Sequence, residues 1–278
     1  MTGQYPARLH ITDWIEGHKR PFAKLKIPDW TQRLAPEIPN VARVLKAAGY
    51  ATASIGKWHL GDASCYPDKQ GFDVNIGGYN RGQPPSYVSP YKIPTLADGP
   101  DGEFLTDREA AEAAKFMEAN KDRPFFIYLP HYAVHTPIAA KPAVLEKYKA
   151  KQVKGAAHHN PTYAGLIESV DDAMGTLLRK LDELKLSDRT VIVFTSDNGG
   201  LLGCTSNAPL RVGKGSAYEG GVRVPLIVKW PGVTQPGSVC ERPVITPDYF
   251  PTMLEMPRYG VGSPAFRYWV ASMVFENV

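Results

Sequence analysis

Residues Gly49–Gly61, Gly-Tyr-Ala-Thr-Ala-Ser-Ile-Gly-Lys-Trp-His-Leu-Gly, restrict the fold more than any other stretch of the chain. They read as a short buried strand that runs into a glycine-bracketed turn. Gly56 and Gly61 let the backbone bend tightly and come close to a bound group. Open α/β sheets hold their ligands where buried strands end in such loops. The turn offers Lys57, a point charge suited to an oxyanion, and His59, which exchanges protons near neutral pH. A lone Lys-x-His at a strand end is more often a surface lysine beside a packed histidine, so its meaning depends on the rest of the chain.

Two further stretches repeat the pattern. Pro124–Leu129 is a continuous apolar run of the kind found in buried parallel strands, and it empties into His131-Tyr132-Ala133-Val134-His135-Thr136-Pro137. The two histidines are four apart, but Pro137 and the preceding strand argue against one helix face. A zinc-protease motif would need Glu where Tyr132 stands. Thr190–Thr195 is the next such run and ends at Ser196-Asp197-Asn198-Gly199-Gly200. The side-chain oxygens of Asp197 and Asn198 suit a hard cation such as Ca²⁺, although an Asp-Asn-Gly turn also needs no ligand. Downstream, glycines on both sides of Lys214 hold it in a tight loop within Leu210–Pro225, and Leu226–Trp230 is a further strand.

Helices alternate with these strands, as an α/β fold requires. Val41, Val44, Leu45 and Ala48 have helical spacing, with Asn40 as N-cap and Gly49 just past the end. Thr106-x-x-Glu109 has the form of a capping box ahead of an inner face of Ala110, Ala113, Ala114 and Met117. Asn160-Pro161 starts the longest helix, whose predicted inner face is Tyr163, Leu166, Ile167, Val170, Met174, Leu177, Leu178, Leu181 and Leu184. Ile11–Pro36, rich in Trp, Pro, Lys and Arg, reads as an irregular surface excursion.

At 278 residues and 43% hydrophobic, the chain can bury a large core. A net charge of +4, with no basic stripe, does not favour nucleic acid as a partner. No run approaches the ~20 apolar residues of a membrane span. Met1–Trp14 lacks the cationic and apolar regions of a secretory signal. Cys65, Cys204 and Cys240 form neither a disulfide framework nor a Cys-x-x-Cys site.

Taken together, the motifs resemble those of the sulfatase family, in the family's order. Gly49–His59 is similar to its second signature, Val134–Pro137 to its Val-His-Thr-Pro turn, and Ser196–Gly199 to its Ser-Asp-Asn-Gly motif. Gly213–Pro225 is similar to its Gly-Lys-Gly-x-x-x-Glu-Gly-Gly-x-Arg-x-Pro segment. The resemblance implies an alkaline-phosphatase-like α/β three-layer sandwich with a mostly parallel central sheet. It implies sulfate-ester hydrolysis, with Lys57 and Lys214 on the sulfate, His59 assisting the nucleophile, and His135 with Lys214 serving the leaving group. Asp197 and Asn198 would hold a divalent cation, Ca²⁺ or Mg²⁺. His131 is expected to be structural, as are Glu219 and Arg223, paired to hold the Lys214 loop.

The family's nucleophile is a formylglycine made from the Cys or Ser of Cys/Ser-x-Pro-x-Arg, and no residue here is assigned that role. Cys65-Tyr66-Pro67-Asp68-Lys69 imitates the signature but follows Lys57 and His59 instead of preceding them, and ends in Lys. The expectation is therefore a partial catalytic domain over residues 1–257, short of its N-terminal strand and C-terminal subdomain, with an atypical tail at 258–278. Such a chain would be inactive or nearly so and would expose a sheet edge. The expected partner is a sulfated small molecule or glycan, and the family resemblance implies export of the full-length parent. A phosphoester or phosphonate hydrolase of the same superfamily, and a non-catalytic binder of sulfated glycans, are the alternatives.

Overall fold

The computed structural model describes residues 1–17, 21–151, 158–255 and 268–274. Six strands form one sheet in the order β2-β1-β3-β6-β4-β5. They are β1 (Ala51–Ile55), β2 (Val74–Ile76), β3 (Phe125–His131), β4 (Thr190–Ser196), β5 (Leu226–Lys229) and β6 (Tyr268–Val274). All neighbours are parallel except β5, which runs antiparallel to β4 at one edge.

The helices are α1 (Val41–Ala47), α2 (Leu105–Ala119), α3 (Pro142–Ala150), α4 (Pro161–Glu183), α5 (Glu219–Val222) and α6 (Thr246–Glu255). Strand alternation assigns the two faces of the sheet. Phe125, Ile127 and Leu129 pack with Ala113 and Met117 of α2 and Leu177 and Leu181 of α4. Phe126 and Tyr128 face the opposite way, where Val41 and Leu45 of α1 and Phe250 and Met253 of α6 gather. The three-layer α/β architecture follows. No helix among the described residues is long and apolar enough to cross a membrane.

Local chemistry explains the element ends. Asn40 has extended backbone, and its side chain accepts from the Arg43 N–H, one of the donors that the first turn of α1 leaves unpaired. Asn160 does the same for α4 through Tyr163 N–H, and Pro161 occupies a position where no amide donor is needed. In α4, Ile167 and Leu178 are 48% and 39% exposed, so the apolar stripe is narrower than the sequence periodicity suggests.

The predicted capping box is not formed. Phe104 occupies the N-cap without a side-chain cap, and Thr106 and Glu109 are both buried. Glu109 faces the sheet instead, on the same line as Leu105, Ala113 and Met117. Burial against β3 competes with the cap and wins, because Glu109 finds a partner there.

Residues 268–274, in the stretch that shows no family pattern, form β6. It pairs along its whole length with β3 on one side and β4 on the other. The sheet is thus continuous across its centre, and its edges are β2 and β5. Tyr268, Val270 and Ala271 are buried, as a parallel strand covered on both faces requires.

Candidate active site

Because β1, β3 and β4 are parallel, their carboxyl ends open on the same side of the sheet. That placement brings together Lys57 after β1, His135 after β3, and Asp197 after β4. Gly56 makes the first turn possible. Its φ is +110°, and a Cβ there would lie 2.2 Å from the Pro130 carbonyl oxygen. The Lys57 N–H donates to that carbonyl at 2.7 Å, so the β1 and β3 loops are joined directly behind the lysine.

Lys214 arrives from a distant loop that is stitched to the β4 turn. Its N–H donates to the Gly200 carbonyl at 3.1 Å, and Gly199 N–H donates to Gly221 at 3.0 Å. Asn207 brackets Gly200, accepting from its N–H at 2.9 Å and donating to its carbonyl at 2.8 Å. A Cβ on Gly213 would stand 2.4 Å from the Gly200 oxygen, which explains glycine beside the lysine. Glu219 and Arg223 form an exposed i,i+4 pair at 3.1 Å that ties one turn of this loop.

These groups lie close enough for their charges to act on one another. Burial takes the Lys57 ammonium down to about 8, with the Asp197 carboxylate opposing and the Lys214 charge adding to the shift. His59 is brought down to about 4, first by burial and then by the Lys57 charge, with smaller effects from Arg81 and Lys214. His135 also falls to about 4, through burial, then Lys57, with Lys214 and His59 contributing less. Both imidazoles are therefore neutral at pH 7, while the Lys57 ammonium keeps most of its charge. Among the described residues these basic groups are set against the Asp197 carboxylate, and an anion would relieve their mutual repulsion.

The imidazoles are held by the backbone. His135 Nδ1 lies 2.9 Å from the Thr136 carbonyl, which places the proton of the neutral ring on Nδ1. Tyr87 Oη donates to the carbonyls of Tyr132 and His135 at 2.6 and 2.9 Å and fixes the turn between them. His59 has a left-handed backbone, φ +54°, and its ring bonds the Ile15 carbonyl.

His131 lies behind the pocket. It is fully buried, and its Nδ1 is 2.7 Å from Glu109 Oε2. The other carboxylate oxygen accepts from the Tyr132 N–H at 3.3 Å. Burial pushes the Glu109 carboxyl up, and the His131 hydrogen bond pulls against it. The signal in the sequence was a lone carboxylate at 109 on the buried i,i+4 line of Leu105, Ala113 and Met117.

The Asp197 and Asn198 oxygens have the chemistry of hard-cation ligands. Asn198 donates through Nδ2 to the Gly199 carbonyl at 3.2 Å, which leaves Oδ1 as its metal-type donor. Among the described residues, however, no three His, Cys, Asp or Glu side chains gather as a metal site. A calcium ion takes about six to eight oxygens, so this pair supplies a minority of a shell.

The mostly parallel sheet, with Lys57, His135 and Asp197 following the carboxyl ends of its strands, is an α/β architecture of the open-sheet kind. The sequence profile of the sulfatase family matches residues 1–257, and the chain belongs to that family. A sulfatase from Formosa agariphila is 41% identical over 62% of this chain and 33% of its own length. The N-acetylgalactosamine-6-sulfatase of Sus scrofa is 32% identical over 96% of this chain and 53% of its own. Among solved structures, Ps i-CgsB in complex with k-i-k-neocarrahexaose superposes with a TM-score of 0.74 at 29% identity, over 92% of this chain and 59% of that one. The chain thus spans from a third to somewhat over half of the length of such relatives.

Proposed function

We propose that the pocket binds the sulfate group of a sulfate ester and supports its hydrolysis. The observation that carries this reading is the mutual field of Lys57, Lys214, His59 and His135 at the carboxyl ends of the strands. Lys57 and Lys214 stabilise negative charge on the sulfuryl oxygens, an effect that is largest where water is excluded. His135 serves the leaving-group oxygen and His59 the attacking group.

The neutral state of both imidazoles in the free pocket fits this use. An arriving sulfate ester brings negative charge that offsets the Lys57 and Lys214 charges, which otherwise keep protons off both rings. Its binding raises both histidine pKa values, so His135 can take up a proton and deliver it to the departing alcohol. The nucleophile in this reading is the family's formylglycine, which is not assigned to any residue described here. Asp197 and Asn198 are the oxygens this chain would offer to a divalent cation such as Ca²⁺, whose charge would reinforce that of the lysines. The substrate class is a sulfated small molecule or glycan, in keeping with the sulfatase names of the relatives and the oligosaccharide bound by Ps i-CgsB.

Titration calorimetry with inorganic sulfate tests the reading. Lys57→Ala and Lys214→Ala should each weaken binding at least about tenfold, the loss of one charge-assisted contact. Lys121→Ala, at the opposite end of the sheet, should change nothing. Equal affinities in all three variants would refute the assignment of the pocket.

A further inference from the structure

Tyr132 and Tyr87 bond to each other's segments in opposite directions. Tyr132 Oη donates to the Gly77 carbonyl at 2.7 Å. Tyr87 Oη reaches two carbonyls, Tyr132 at 2.6 Å and His135 at 2.9 Å. One phenolic proton shared between two carbonyls holds those oxygens together against their mutual repulsion. The Tyr132 carbonyl also accepts from the His135 N–H at 3.0 Å, so the shared proton closes the turn that carries His135. Both tyrosines are buried, and burial pushes both phenols up, so each stays a protonated donor.

Residues 77–87 are thereby fastened at both ends to the turn after β3, and their middle rests on His59. The Tyr79 carbonyl accepts from the His59 N–H at 3.0 Å. The Tyr79 ring centroid lies 6.4 Å from that of Tyr132, tilted by 55°. Three positions on, Gly82 approaches so closely that a Cβ there would stand 2.5 Å from His59 Nδ1. The first anchor also backs the Lys57 turn. A Cβ on Gly77 would lie 3.5 Å from the Gly56 carbonyl oxygen, and the Gly56 N–H donates to Ile76 at 2.8 Å. At the second anchor, the Tyr87 carbonyl accepts from the Leu105 N–H at the start of α2, at 2.8 Å.

We propose that Tyr132 and Tyr87 are positioning residues that fix His59 and His135 relative to one another. Tyr132 acts on the His59 side, through Gly77 and the loop that lies on that ring. Tyr87 acts on the His135 side, through the turn itself. An anion site depends on groups that are already in place, so slack in either anchor weakens it. This assignment rests on the sulfate-pocket reading above and deepens it.

The test reads the imidazole NMR signals of the full chain and its affinity for inorganic sulfate by calorimetry, at a temperature where every variant is folded. Phenylalanine keeps each ring and removes only the hydroxyl. Tyr132→Phe should move the His59 signals and Tyr87→Phe the His135 signals. Each should weaken sulfate about fivefold, the scale of one lost hydrogen bond. Tyr91→Phe is the control for stability alone: Tyr91 lies in the same aromatic cluster, and its Oη donates to Glu103 Oε2 at 2.9 Å. It should lower Tm and leave the ring signals and the sulfate affinity as they are. Ring signals that match the wild type in both Tyr132→Phe and Tyr87→Phe overturn the proposal, whatever happens to Tm. Lys57→Ala separates the two readings. If the wild type binds sulfate no better than Lys57→Ala, the sulfate pocket falls, and the ring signals, which need no ligand, still decide the role of the tyrosines. If Lys57→Ala loses sulfate while both tyrosine variants bind it as the wild type does, the pocket stands and the positioning role falls.

Discussion

Replacing Glu109 with alanine should lower folding stability by about 2–4 kcal/mol, the cost of leaving buried hydrogen-bonding groups without their partner. The side chain is 2% exposed and makes two contacts, to His131 Nδ1 and to the Tyr132 N–H. Alanine leaves both donors without an acceptor in a place water does not reach, and it opens a cavity beneath Gly56. Since whole domains have only about 5–15 kcal/mol of stability, the change is a large share of the total. Glu109→Gln keeps the volume and an acceptor, so its cost should be markedly smaller. Urea denaturation of the three proteins measures this. A loss under about 1 kcal/mol for Glu109→Ala would mean that the pair does not support the fold.

Acid should destabilise the chain in a window set by the two site histidines. His59 and His135 both have folded-state values of about 4, below the 6.5 of the unfolded chain. Between those values the unfolded state binds more protons, so stability falls as pH falls from about 6.5 to about 4. A shift of this size corresponds to something on the order of 3 kcal/mol per histidine. Lys57, brought down to about 8, acts in a separate window: stability gains as pH rises from about 8 towards 10.5. His59→Gln and His135→Gln should each flatten the acid limb of a plot of Tm against pH. Sulfate should do so in the wild type, because a bound anion lets the imidazoles charge within the fold. An acid limb identical in wild type and both variants would contradict the assignment of these shifts.

Much of the candidate site's placement was legible because its residues sit where strands end. Lys57, His135 and Asp197 each follow a run of apolar residues short enough to be a strand, and parallel pairing does the rest. Asn40 and Asn160 were legible as caps because their role is local: one side chain and an amide three residues on. What escaped was non-local. Tyr268–Val274 is an apolar run that any strand reading would accept, yet nothing in its periodicity says that it enters between β3 and β4. The Thr106–Glu109 spacing satisfied a cap motif, but the carboxylate was drawn to His131, twenty-two positions away. Trp14 and Gly82 lie far apart in sequence, yet both approach the His59 ring. No pattern in either segment encodes that meeting.

The most direct measurement of the central claim is a crystal structure of the chain soaked in selenate, a sulfate analogue whose selenium is located by anomalous scattering. One strong peak should appear between the Lys57 and Lys214 ammonium groups. Its oxygens should lie within about 2.7–3.2 Å of those nitrogens, with the His59 and His135 rings facing it. Peaks confined to other surfaces, with Lys57 and Lys214 directed away from any shared anion, would contradict it.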